Sequence, residues 1–96
     1  MRHSDTDFLA LLEKTHAFPG VFTFKVIGLI EHGFAARVVA AVRDELASSI
    51  DPPFRVRHTA GGRHVSVTLE PTVQTAAQVL AVYRRIRATA GLVMLL

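Results

Sequence analysis

The chain carries few groups able to do covalent chemistry, and five of them are histidines: His3, His16, His32, His58 and His64. A neutral imidazole offers a base or a metal ligand near physiological pH. None of the five is spaced as H-x-x-H, and no carboxylate is placed to complete a ligand set. Only His58 and His64 could approach one another, across a hairpin; ordinary strand or loop histidines are the favoured reading, so no metal site is expected. The chain has no Cys, which removes thiolate nucleophiles, thiolate metal sites and disulfides. No nucleophile elbow accompanies the serines, so a Ser-His-Asp triad lacks support. Neither catalytic residues nor a cofactor are expected, and the chain reads as a non-enzyme.

Two glycine-bearing stretches could instead cradle an anion. Backbone N–H groups at a helix N-terminus bind phosphate, and a neighbouring Arg adds a bidentate fork. "GLIEHGFAAR", Gly28 to Arg37, has that outline. The other stretch, "TAGGRHVSVTLEP" from Thr59 to Pro71, joins two alternating segments and leads into no helix. Its Gly61-Gly62 pair reads as a hairpin turn that needs positive φ. After the turn, Val65, Val67 and Leu69 face one way, and His64, Ser66 and Thr68 the other.

The elements that must position these groups follow from periodicity. Ser4 or Asp5 can cap a short helix over residues 4–14, with Phe8, Leu9, Leu11 and Leu12 on one face. "AFPG" ends it, since Pro19 disfavours helix at Phe18. "VFTFKVIGLI" alternates Phe22, Phe24 and Val26 against Thr23, Lys25 and Ile27, as a strand with one apolar face does. A helix over 33–48 repeats Phe34, Val38, Val42 and Leu46, with Val39 widening the stripe, and Pro52-Pro53 cannot continue it. Residues 54–59 form a second strand with Arg55 and Arg57 on its polar side. The "VSVTL" strand is third. The next helix is expected from Thr72, as its cap, to about Thr89, with Val73, Ala76, Val79, Leu80, Tyr83 and Ile86 inward. Gly91 breaks it, and "LVMLL" is a short apolar strand.

The order is a helix followed by βαββαβ. With right-handed crossovers it gives an α+β, ferredoxin-like sandwich: a four-stranded antiparallel sheet, strand order 4-1-3-2, with both main helices on one face. The other face would carry Thr23, Lys25, His64, Ser66 and Thr68, either solvated or covering something. At 96 residues the chain suffices for one core, burying roughly 60–70% of its unfolded surface. Residues 1–17 read as an N-terminal helical extension and 18–96 as the domain proper. Charge is uneven: residues 1–50 hold five Lys/Arg and six acids, whereas residues 51–96 hold six Arg and two acids. A basic half could meet an acidic partner or nucleic acid, although a solvated face is the commoner cause. The charged start lacks a signal-peptide core, and no apolar run approaches the about 20 residues of a membrane span. A cytoplasmic location is therefore expected, with no membrane partner.

"FPGVFTFKVIG" (Phe18–Gly28), "GGRHVSVTLEPT" (Gly61–Thr72) and "VYRRI" with the terminal "VMLL" together resemble the YbeD-like family of small bacterial proteins of uncharacterised function. The positions carrying the likeness are Phe18, Pro19, Phe22, Thr23, Lys25, Val26, Gly28, Gly62, Ser66, Val67, Thr68 and Tyr83. The resemblance implies an ACT-like domain. It departs at Phe24 and His64, where the family pattern favours Tyr.

Acylphosphatase shares the βαββαβ order, but the Gly28–Arg37 spacing is one residue too long. The chain also has no Asn, the residue with which that family orients its water. Binding RNA or DNA on such a sheet needs exposed aromatics on the central strands. The third strand has none, so nucleic acid is disfavoured, and the cluster Arg84, Arg85 and Arg87 alone is weak support. What remains is a non-catalytic ACT-like binding, regulatory or protein-interaction module. The alternative is a true ACT-type sensor of amino-acid-like ligands at the Gly28–Phe34 loop, where Gly28 and Gly33 permit close backbone approach. The candidate ligand-binding residues are thus Gly28, Gly33, Thr23, Lys25, His64, Ser66 and Thr68. Self-association through the apolar C-terminal edge strand or the open sheet face is expected, unless the N-terminal helix covers that surface; an unidentified protein partner is the other expectation.

Overall fold

The computed structural model describes residues 3–96; the first two residues of the expected N-terminal extension lie outside them. Among the described residues, three α-helices and two antiparallel sheets make up the fold. Helix α1 (His3–Thr15) leads to β1 (Gly20–Val21) and β2 (Phe24–Leu29), then a tight turn at Glu31–Gly33 and α2 (Phe34–Glu45). Strands β3 (Phe54–His58) and β4 (His64–Leu69) form a hairpin, followed by β5 (Thr72–Val73), α3 (Ala76–Arg87) and β6 (Leu92–Leu95). The main sheet has the order β3-β4-β2-β6, and β1 pairs with β5 in a separate two-stranded ribbon.

Period-2 alternation explains which side of the main sheet is buried. Phe24 and Val26 of β2 and Val65, Val67 and Leu69 of β4 point to one face and are almost wholly buried. Against them pack Phe34, Val38, Val39 and Val42 from α2 and Val79, Val82 and Ile86 from α3. The hairpin turn lies at Gly62, whose φ is 70°, in the left-handed region that glycine occupies without a Cβ penalty.

Helix α1 joins the helix layer and not the sheet's far face. Its Leu12 reaches the core, its Phe8 ring meets Tyr83 edge-on at 6.0 Å, and its Asp5 pairs with Arg84 of α3. The sheet's far side is consequently left without a covering element. Tyr83 also packs edge-on against Phe24 at 5.0 Å. Burial raises its phenol pKa above the usual 10.0, with nearby Arg87 opposing the shift.

Two local expectations are corrected. The strand read through Val21–Ile30 is broken at Phe22–Thr23. The Phe22 N–H donates to the carbonyl of Pro71 at 3.0 Å, and Phe22 inserts into an aromatic cluster, 4.9 Å from Phe24. The chain steps there from the small ribbon to the main sheet. Thr72 is not a helix cap, because it pairs with Val21 in the ribbon. The cap is Thr75, with extended φ of −145°, whose hydroxyl accepts from the Gln78 N–H at 3.2 Å. Gln78 Oε1 in turn accepts from the Gln74 N–H at 2.7 Å. This near-reciprocal closure belongs to the Thr-x-x-Gln pattern.

Thr75→Ala should destabilise the fold by about 1 kcal/mol, whereas Thr72→Ala should stay within about 0.5 kcal/mol of the parent. Urea denaturation of both variants checks this; the reverse ranking would contradict the cap.

Candidate functional site

On the uncovered face, register brings together residues far apart in sequence. Lys25 lies across from Thr68, and Ile27 across from Ser66. Further along the same rows, Thr68 faces Arg55 and Ser66 faces Arg57. Leu29 pairs with His64 at the end of the face. Lys25, Arg55, Arg57, Ser66 and Thr68, with Val56 between the arginines, line a shallow depression of about 410 Å³.

The charged side chains that line this depression, Lys25, Arg55 and Arg57, are all basic. Glu70 is the nearby acid, and it is engaged: Arg55 Nη1 donates to its Oε1 at 3.0 Å. Among the described residues, no carboxylate pairs with Lys25 or Arg57. Thr68 is only 8% exposed, so its hydroxyl forms part of the floor. Such an arrangement can hold an anion by charge and by hydroxyl donors.

Of the residues expected from sequence, Lys25, His64, Ser66 and Thr68 do share this face. Thr23 is exposed just before β2 and continues its alternation. Gly28 and Gly33 are not brought to it. Gly28 points into the helix layer, where a Cβ would lie only 2.3–2.5 Å from the Phe34 ring. Gly33 adopts φ of 65° at the start of α2.

The Gly28–Phe34 segment has its own hollow of about 460 Å³, between Leu29, Glu31, His32, Arg37, Ala90 and Gly91. Its polar groups are largely engaged internally. Arg37 donates to the carbonyls of His32 and Ala90, each at 2.9 Å. The Leu29 N–H donates to Gly91 O at 2.9 Å and the Ile30 N–H to Arg63 O at 3.0 Å.

Sequence reasoning left Arg55 and Arg57 out of the site. Their alternation on the polar side of β3, combined with the hairpin, would have placed them beside Ser66 and Thr68. His58 and His64 do not converge: His58 pairs with Val65, so adjacent His64 lies on the opposite face. No metal-binding group of three or more His, Cys, Asp or Glu occurs among the described residues. In the α3 basic cluster, Arg84 pairs with Asp5, and Arg85 Nε with Glu45 Oε1 at 3.2 Å. Those charges tie α3 to its neighbouring helices.

The family described as "Protein of unknown function (DUF493)" matches residues 13–96. The chain belongs to that family. Two relatives called "UPF0250 protein" bear the likeness out. The one from Shewanella woodyi (strain ATCC 51908 / MS32) is 34% identical over 87 residues, covering 91% of this chain and 92% of the relative. The one from Shewanella sediminis (strain HAW-EB3) is 32% identical with the same coverage. The YbeD-like resemblance read from the Phe18–Gly28 and Gly61–Thr72 stretches is therefore a true membership. The DUF493 match begins inside α1, so Asp5, Phe8 and Leu9 precede the matched residues.

Gly28→Ala should cost about 1–3 kcal/mol through overpacking against Phe34. Gly61→Ala, with open space around it, should cost within about 0.5 kcal/mol. Chemical denaturation of the two variants compares them directly.

Proposed function

We propose that this DUF493 chain is a non-catalytic binding module, regulatory or protein-interacting, whose working surface is the open face of the main sheet. The observation that carries the reading is the basic lining of that face: Lys25, Arg55 and Arg57 around Ser66 and Thr68, with Arg55 alone of the three paired to an acid, Glu70, among the described residues. Thr23 and His64 extend the surface at its ends. A ferredoxin-like, ACT-like architecture is supported by the strand order β3-β4-β2-β6 and by helices following β2 and β4. We read residues 1–17 as an extension to a domain spanning 18–96, working in the cytoplasm.

A second reading, an ACT-type sensor of amino-acid-like ligands, draws on the hollow beside Gly28–Phe34. Its internal hydrogen bonds leave that segment few donors for a ligand. Two experiments separate the readings. Affinity capture compares the parent with the Lys25→Glu/Arg57→Glu double variant at physiological salt. A partner held by the parent and lost from the variant supports the open face; identical captured sets overturn it. In a thermal-shift screen, an amino acid at 100 times its Kd would stabilise the chain by about 2.7 kcal/mol, and such a hit moves the assignment to the Gly28–Phe34 segment.

Self-association belongs to the same proposal. On β6 and just beyond it, Val93, Met94 and Leu96 are exposed, and the side chains of β6 itself carry no charge to guard that edge. A dimer or larger species is expected in sedimentation velocity at micromolar concentration, shifting to monomer for Met94→Lys. A monomeric parent contradicts this contact.

A further inference from the structure

The two edges of the main sheet differ in kind. At the β6 edge the exposed side chains are apolar. Strand β3, on the other edge, is exposed along all five residues and sets Arg55 and Arg57 between Phe54, Val56 and His58. Its odd positions, Arg55 and Arg57, belong to the basic open face. Its even positions Phe54 and Val56, 45% and 40% exposed, lie on the side of the helix layer but are not covered by it.

The hydrogen-bond phase of β3 follows from its ends. The Glu70 N–H donates to Pro53 O at 2.9 Å, and the Thr59 N–H to His64 O at 3.1 Å. Both pairs continue the β3–β4 register, so odd-numbered β3 residues direct their backbone groups to β4. The N–H and C=O groups of Phe54, Val56 and His58 therefore point out from the edge. They form a template for one further strand.

We propose that this edge accepts an extended, acidic segment of another protein, pairing antiparallel with β3 as an additional strand. Resting on the open-face reading above, the proposal specifies its partner. Residues across from Arg55 and Arg57 would occupy non-hydrogen-bonded positions, where cross-strand side chains come closest. Carboxylates there meet Arg57, which has no acidic partner among the described residues. They also meet Arg55, 73% exposed and bound to Glu70 through one nitrogen. Apolar residues between the carboxylates cover Phe54 and Val56. The required pattern is alternating acidic and apolar.

A second copy of this chain does not meet that requirement. A symmetric antiparallel pairing centred on Val56 sets Arg55 of one copy across from Arg57 of the other. Moving the centre to either neighbour sets Arg55 across from Arg55, or Arg57 across from Arg57. Like charges directly opposite destabilise a sheet pair. The arginines thus disfavour self-pairing and favour an acidic strand.

The test is a selection of short random peptides against the whole chain, run in parallel on the Arg55→Glu/Arg57→Glu variant. The parent should enrich peptides alternating acidic and apolar residues, and these should slow amide exchange at Phe54, Val56 and His58 in NMR spectra. The variant should bind them at least about tenfold more weakly, which is about 1.4 kcal/mol. It should instead enrich basic alternating peptides, and that rescue also shows the variant to be folded. Acidic peptides that shift Lys25, Ser66 and Thr68 but leave the edge amides unprotected would overturn strand addition while sparing the open-face reading. Peptides enriched without acidic character, or none enriched, would overturn the acidic-strand proposal, leaving the capture comparison to decide the reading beneath it.

Discussion

The Phe34 ring occupies the volume that any side chain at position 28 would need. An ideal Cβ on Gly28 would lie 2.3 Å from that ring, and one on Gly91 3.3 Å from its other edge. The ring is therefore wedged where β2, α2 and the start of β6 meet, and it is 1% exposed. The β2–β6 register shifts between Ile27 and Gly28, beside this wedge. Entry into α2 is correspondingly tight, with His32 and Gly33 both at positive φ. Arg37, one helical turn on, ties the loop to Ala90. A single close approach thus sets the height of α2 above the sheet, and a small ring-to-backbone distance requires glycine.

With the helix layer fixed on that side, the opposite face of the sheet is left bare. The residues around its basic depression come from three strands and are assembled by register alone: Lys25, Thr68 and Arg55 in one row, Ile27, Ser66 and Arg57 in the next. Basic charge gathers there because cross-strand neighbours lie only about 5 Å apart. On α3, equally dense in arginine, Arg84 and Arg85 end instead in ion pairs with Asp5 and Glu45. Exposed pairs of that kind contribute about 0–1 kcal/mol each, so their effect lies more in orientation than in stability.

Helix and strand identities were legible because their apolar spacing is regular. The Phe34–Val38–Val42 stripe and the Val65–Val67–Leu69 alternation both lie in the core as read. The β1–β5 ribbon was not legible, since two-residue strands are too short to show a period. Thr72 resembled a cap because it follows Pro71, while the Thr75-x-x-Gln78 signal three residues later went unused. Val82 was missed on α3, although it is fully buried and stands three residues after Val79 and four before Ile86, on the stripe those two define. Within the candidate surface the hydroxyl row was readable on one strand. Arg55 and Arg57 became part of it only when β3 was laid beside β4.

The sequence by itself determined the family, the three helices, the four longer strands and the inward faces of α2 and β4, because periodicity and local motifs are properties of neighbouring residues. Tertiary structure decided which charges are spoken for and which remain available. Arg84, Arg85 and Arg37 found partners across the chain, whereas no carboxylate among the described residues pairs with Lys25 or Arg57. The physical reason is that an ion pair or a carbonyl contact depends on distance in space. Register and helix docking set those distances, and no spacing along the chain contains them.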